Sequence, residues 1–337
     1  MSMRPSRRGR PTLEQVAAHA GVSRASVSRV INGTPTVATH IREVVLRSVR
    51  ELGYLPNPAA RSLVTRRTDS YALIVPEPAV RVFSDDQFFL MLVRGVGAEL
   101  EAADKQLVLM LATTGTSRAR IERYALGGHV DGVMIASLHG DDPLPATLAG
   151  AGVPVIVNGR PLGEPSVPYV DVDHAGGVAA AIAHLRGRGR RRIATIAGPQ
   201  DMVAGIERLA GYRAALGGEA AVVEVGDFTR ASGAEAMRRL LGAQPDLDAV
   251  FAASDLMADG ALHALRRAGR RVPDDVAVVG FDDVEAARFA DPPLTTVRQP
   301  IVDIGRSLAR ALLDASAGEP LAPALVLPTE LVVRESS

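Results

Sequence analysis

Arg24 and Arg29 stand five residues apart in the stretch TLEQVAAHAGVSRASVSRVIN, which runs from Thr12 to Asn32. A guanidinium presents a planar fork of donors that matches the O6 and N7 acceptors of guanine, and the same fork binds phosphate. That chemistry needs both arginines on an outward surface. On a helical wheel of about 100° per residue, Ala25 and Arg29 point away from Val27, Ser28 and Asn32 flank them, and Arg24 occupies the first turn. Val27, Val30 and Ile31 share the inward face. Taken alone, the pattern also fits a helix with a solvated arginine face.

The surrounding residues say how such a helix is held. Thr12 with Gln15 three residues on fits a capping box, and Leu13, Val16, Ala17 and Ala20 recur at the spacing of one apolar helical face. Gly21 stands where a positive φ turns the chain sharply, and Ser23 suits the N-cap of the second helix. A third amphipathic helix follows in THIREVVLRSVRELGY, with Ile41, Val44, Val45, Val49 and Leu52 on its apolar face and Gly53 at its end.

The pattern VA..AGVS..SVSRV.N, followed by ELGY.PN, resembles the DNA-binding headpiece of the LacI/GalR family of transcriptional regulators. The resemblance implies a three-helix helix-turn-helix domain over residues 11–55. Its DNA contacts would come from Thr12, Ser23, Arg24, Ala25, Ser26, Ser28, Arg29, Asn32, Tyr54 and Asn57. Residues 56–69 are expected to form a hinge, since Pro56 and Pro58 interrupt any helix before AARSLV starts another. By resemblance this hinge folds on the operator, with Leu63 wedged into the minor groove beside Arg61.

Charge distribution agrees with this reading. The chain is neutral overall, yet Met1 to Arg67 holds 12 Arg, no Lys and three acids, a balance of +9 against −9 in the remainder. An electropositive head on an acidic body is the footprint of a DNA-binding module joined to something else. Residues 1–10, MSMRPSRRGR, read as a flexible basic arm whose Gly9, Arg10 and Pro11 resemble the core of an AT-hook.

From Tyr71 the pattern changes. YALIVPE, QLVLMLA, DGVMIAS and VPVIVNG, then RRIATIAG, AVVEVGD, LDAVFAAS and DVAVVGFDD, are short apolar runs separated by helical stretches. Two such βα series predict an α/β core, residues 70–337, of two doubly wound parallel lobes with a cleft at the strand carboxyl ends. The resemblance gives this core the shape of a periplasmic sugar-binding protein, with lobe crossovers expected near 158–160, 282–290 and 293–300. It also implies ligand contacts. Arg208 lies where the family places a ligand-binding arginine, Asp282 in GFDD could accept from a diol, and Phe228 stands where relatives place an aromatic wall. Ser254 is either a ligand contact or a helix cap, and Phe88 and Phe89 line the cleft or belong to the core. Asn158, Arg160 and Asp173 end extended stretches and face the cleft.

Other chemistries lack their residues. There is no cysteine, hence no disulfide or thiolate site, and a reducing cytoplasm suits the composition. No Walker loop and no G-x-S-x-G elbow occurs, and GVGAEL at Gly95 lacks the preceding strand and third glycine of a dinucleotide fingerprint. The seven histidines show no i, i+4 pair for a metal, and most are expected at solvated or capping positions. No cofactor and no enzymatic activity are expected. The expectation is a cytoplasmic homodimeric regulator, first of all a repressor, on near-palindromic double-stranded DNA, with a sugar as effector; a nucleoside, polyol or sugar phosphate remains open. The alternative is a sugar-binding transport protein with the same core, which the missing signal peptide and the arginine-rich head oppose.

Overall fold

In the computed structural model, which describes residues 11–31, 36–55, 67–83, 87–163 and 167–337, the capping box is formed. Thr12 Oγ1 accepts from the Gln15 amide at 3.3 Å and Gln15 Oε1 accepts from the Thr12 amide at 2.9 Å, opening α1 (Leu13–Ala20). Gly21, at φ 65°, closes it. Ser23 Oγ accepts from the Ser26 amide at 3.1 Å at the start of α2 (Arg24–Ile31), and α3 (Thr39–Leu52) ends on Gly53 at φ 62°. Val16, Val27, Val30 and Val45 meet in a small core that the three helices close together. The arm at 1–10, Asn32, and the hinge positions Asn57, Arg61 and Leu63 lie outside the described residues.

The chain divides after Thr68, and the unit from Asp69 to Ser337 holds both lobes. The first is laid down as β1 (Ser70–Val75), α4 (Ala79–Val82), α5 (Gln87–Ala102), β2 (Gln106–Leu111), α6 (Gly115–Leu126), β3 (Gly132–Ile135), α7 (Leu144–Gly150), β4 (Val155–Asn158) and β5 (Tyr169–Val172). The second follows as α8 (His174–Gly187), β6 (Ile193–Ala197), α9 (Val203–Leu216), β7 (Val223–Val225), α10 (Arg230–Ala243), β8 (Ala249–Ala252), α11 (Asp255–Arg267), β9 (Ala277–Asp282), α12 (Glu285–Arg288) and β10 (Thr295–Arg298). Then α13 (Ile301–Ala317) and β11 (Ala324–Leu327) rejoin the first lobe, and β12 (Glu330–Val332) returns to the second.

Strand order is β11-β5-β4-β3-β1-β2 in one sheet, all parallel, and β12-β10-β9-β8-β6-β7 in the other, where β12 alone is antiparallel. Period-two alternation explains why the strands read as unbroken apolar runs. Tyr71, Leu73 and Val75 of β1 face the core beneath α5 and α13, while Ala72 and Ile74 face the one beneath α6 and α7.

Two of the three expected crossovers fall elsewhere. The first falls at Asp173, because the four residues of β5 pair parallel with β4 and keep the chain in the first lobe beyond residues 158–160. Residues 282–290 stay with the second lobe, since β10 continues the sheet beside β9. The crossing expected within 293–300 is found at its end, Gln299–Pro300, and a further one, not expected, lies at Pro328–Thr329. The first and the third run close together: Asp173 N donates to Leu327 O at 2.9 Å, and Thr329 Oγ1 donates to Asp173 O at 2.9 Å.

Candidate nucleic-acid interface and cleft site

In the three-helix unit, Ala25 and Arg29 are exposed on the outer side of α2, Ser28 is half-buried, and Val27 and Val30 are buried behind them. Ser23 and Ser26 are tied to each other at the start of the helix, their hydroxyls 2.9 Å apart. Arg24 is not free as the wheel alone suggests: its Nε lies 3.2 Å from Glu14 Oε1 on α1. Both side chains are more than half exposed, so water competes for the pair and a phosphate can displace Glu14. Thr12, expected at DNA, has its hydroxyl engaged in the capping box. Tyr54 departs from the expectation of a DNA contact. It is only 9% exposed and packs in the headpiece core, because the left-handed turn at Gly53 folds the following residue back over α3.

In the second unit a cavity of about 330 Å³ opens between the lobes. Arg208, on α9, is its anchor. The guanidinium is 4% exposed, stacks 3.7 Å from the centroid of the Phe281 ring, and donates through Nη1 to Ala253 O at 2.6 Å and Asp282 Oδ1 at 3.4 Å. Its Nε donates to His174 Nδ1 at 3.3 Å, and His174 Nε2 lies 3.1 Å from Asp171 Oδ1. Because Nδ1 accepts, the proton belongs on Nε2, toward Asp171. Burial pushes the His174 pKa below its ordinary value, which keeps the ring neutral in that role. Burial also acts to raise the Asp171 pKa, but the bonds from His174 and from the Arg160 and Val172 amides hold it below the ordinary carboxylate value.

Asp282 ends β9 at φ 123° and Asp283 follows at φ 56°. Non-glycine residues occupy such conformations only where the surroundings enforce them. Here Gln299 Nε2 donates to Asp282 Oδ1 at 2.6 Å, Asp283 takes ion pairs from Arg298 and Arg334, and Asp255 Oδ2 accepts from the Val284 amide at 3.0 Å. Burial, with the charge of Asp282 beside it, raises the Asp255 pKa well above the ordinary value. The turn is thus clamped from behind, and Asp282 lines the cavity.

Phe228 also lines it, at φ 66° between β7 and α10, its ring packed on Gly198 and 5.9 Å from the Arg208 guanidinium carbon. Phe88, Phe89, Asn158, Arg160 and Ser254 all reach the cavity wall. Phe89 is at the same time part of the first lobe's core, and Ser254 Oγ caps α11 by accepting from the Met257 amide at 3.3 Å, so each lines the cavity while it also packs or caps. Arg160 pairs with Glu207 of the opposite lobe. Asp173 does not line the cavity: its carboxylate caps α8, accepting from the Gly176 amide at 2.8 Å. Asp171, His174 and Gln299, not singled out from the sequence, take its place on the wall. A carboxylate at position 171, inside the apolar strand YVDV, was the available signal. The expectation of solvated or capping histidines fails at His174, which is buried.

What the arrangement offers includes an anionic double acceptor in Asp282, a planar cationic fork in Arg208 and apolar walls, groups that can hold a polyhydroxylated ring.

A family model described as bacterial regulatory proteins, lacI family, matches residues 12–57, and one described as a periplasmic binding protein-like domain matches residues 182–337. The HTH-type transcriptional regulator CelR of Thermobifida fusca is 54% identical over 338 residues, covering 98% of this chain and 99% of that one. The HTH-type transcriptional repressor CytR of Escherichia coli strain K12 is 31% identical, covering 97% and 96%. A solved CelR–cellobiose complex superimposes with a TM-score of 0.77 at 52% identity, covering 97% of this chain and all of that one. The lac repressor dimer bound to operator and the anti-inducer ONPF gives 0.84 at 27% identity, covering 97% and 99%.

Proposed function

The chain belongs to the LacI family of bacterial regulatory proteins, and from that premise we propose that it is a homodimeric repressor of a near-palindromic operator, controlled by cellobiose or a closely related sugar. It is a DNA-binding transcriptional regulator. The observation that carries the effector reading is Arg208 and Asp282, 3.4 Å apart in the cleft, with Gln299 and Phe228 about them. Asp282 accepts from two sugar hydroxyls, Arg208 donates to a third oxygen, and Phe228 and Phe88 cover the ring's apolar faces. The CelR relative, solved with cellobiose, supports that choice of sugar. We assign residues 11–55 to reading DNA, 56–69 to the hinge, and 70–337 to effector binding and dimerisation, in a cytoplasmic protein without enzymatic activity. Effector binding shifts the lobe arrangement, and through the hinges of the dimer it changes operator affinity by its differential affinity for the two states.

Calorimetry of the full chain with cellobiose, beside maltose and lactose, tests the sugar, and fluorescence anisotropy of labelled operator tests the response. Binding of cellobiose that releases operator is expected. Binding of another disaccharide in its place would overturn the identity of the effector, and no response to any sugar would overturn the effector class.

On the DNA side, Arg29 is proposed to read one guanine per half-site, a bidentate contact giving about 1–3 kcal/mol of discrimination. Arg29→Ala is therefore expected to flatten preference at one symmetric pair of operator positions in a binding-site selection experiment. Ala25 offers only a methyl contact. An unchanged preference profile would remove Arg29 from the reading face.

A further inference from the structure

Outside the Arg208 network, one histidine joins the two lobes. Glu77 follows β1 and His139 follows β3, both in the first lobe's sheet, whereas Asp201 follows β6 in the second. His139 lies between the carboxylates, with Nε2 3.0 Å from Glu77 Oε1 and Nδ1 2.9 Å from Asp201 Oδ2. Only the imidazolium carries a proton on both ring nitrogens, so both bonds can be donated at once only when the ring is charged. The Gly140 amide donates to Asp201 O at 2.7 Å beside it. Glu77 is 3% exposed and is fixed from its own lobe by Ser137 Oγ at 2.7 Å and by Arg81 at 3.2 Å. The His139 ring does not line the cavity, but Ser137, Leu138 and Gly140 on either side of it do.

We propose that His139 is a positioning residue for the effector site: as an imidazolium it ties the lobes together beside the cleft, so that effector binding is coupled to proton uptake. The proposal rests on reading this cleft as the effector site. The charged groups around the ring are Glu77 and Arg81 from the segment after β1, and Asp201 from the loop after β6; Arg81 in turn feels Asp227 of the second lobe. The bond from Glu77 raises the His139 pKa above its ordinary 6.5, burial opposes it, and Asp201 adds to the rise. The sugar-free chain exchanges between closed and parted lobes, and the sugar selects the closed form; when the lobes part, Asp201 is withdrawn and Glu77 remains, so the pKa falls part of the way back. A group whose pKa is raised in the closed form favours that form below its open-form pKa. It loses that effect as pH rises through the closed-form value. Effector affinity is therefore greatest in mild acid and declines as pH rises above the ordinary imidazole value.

Two measurements on the full chain test this separately. In sugar-free protein with labelled histidines, the His139 resonance, identified by its loss in His139→Gln, should titrate above the ordinary value, and Asp201→Asn should lower its pKa measurably. An unchanged titration in Asp201→Asn would overturn the latch whether or not any sugar binds. In calorimetry, wild-type affinity for cellobiose should fall between about pH 6 and 8. His139→Gln should remove this slope while still binding. A slope retained in His139→Gln would overturn the assignment, whereas no cellobiose binding at any pH would overturn the sugar and leave the titration to decide the latch.

Discussion

Asp282→Ala is expected to abolish the effector response while leaving sugar-free operator binding intact. The carboxylate lies in the cleft at the end of β9, and Gln299 and Arg208 both meet its Oδ1. A carboxylate has about four lone-pair sites, so Asp282 can accept from sugar hydroxyls beside these donors. Hydrogen bonds to a charged acceptor contribute about 1.5–3 kcal/mol each. Removing the acceptor should cost about 2–4 kcal/mol of binding, roughly 30- to 1,000-fold in Kd. Asp282→Asn separates charge from geometry: asparagine tolerates a positive φ and keeps one acceptor, so it should fall between wild type and alanine. The reading is checked by calorimetry with cellobiose together with operator anisotropy. Retained wild-type sugar affinity in Asp282→Ala would move the effector away from this carboxylate. Loss of operator binding without sugar would show that the turn at 282–284 acts through the fold.

The elements were legible because both physical signals were local. The capping box, the left-handed Gly21 and the apolar faces of α1 to α3 follow from neighbours within one or two turns, and the eight apolar runs became β1 to β4 and β6 to β9. What escaped was set by pairing at long range. β5 holds Asp171 among valines and a proline precedes it, so its four residues read as the end of a lobe when they are its fifth strand. The run TTVR, with three polar residues of four, reads as part of the crossing that begins only at Gln299, because nothing local says that Thr295 and Thr296 bond Ser337, Ser336 and Asp255 in the interior. The site divides in the same way. Arg208, Asp282 and Phe228 are placed by resemblance, but the chain of Asp171, His174, Arg208, Asp282 and Gln299 draws on two crossovers and two lobes. No spacing along the chain reveals it. Asp173 reads as a cleft residue because it ends the strand, and ending the strand is what commits it to capping α8.

The glycines of GVGAEL, which fail as a dinucleotide fingerprint, have another use that leads to a second large effect. Gly95 sits in α5 where α13 crosses it, and a Cβ built there would stand 2.1 Å from Val302 O; on the other side, a Cβ at Gly305 would stand 2.4 Å from Leu92 O. Backbone meets backbone, so no side chain can swing aside. Gly95→Ala must push the helices apart, and overpacking of that kind costs about 1–3 kcal/mol and sometimes more. Alanine's helical preference returns about 1 kcal/mol at most. The net loss is expected near 2 kcal/mol or beyond, lowering Tm by about 4–10 °C for a unit of this size. Gly242, exposed in α10 with open space around its Cβ position, supplies the contrast: Gly242→Ala should change stability by about 0.5 kcal/mol or less, in the favourable direction. The two helices also bear on the effector. α13 starts two residues after Gln299, whose amide holds Asp282 at 2.6 Å, so displacing α13 shifts the crossing that aims the carboxylate. Gly95→Ala should therefore weaken cellobiose binding even at temperatures where the protein is fully folded, and Gly242→Ala should not. Thermal denaturation and calorimetry at low temperature read the two consequences apart. A stable Gly95→Ala protein would mean that the helices can separate freely, and a destabilised one with wild-type sugar affinity would mean that the crossing at Gln299 is held by the second lobe alone.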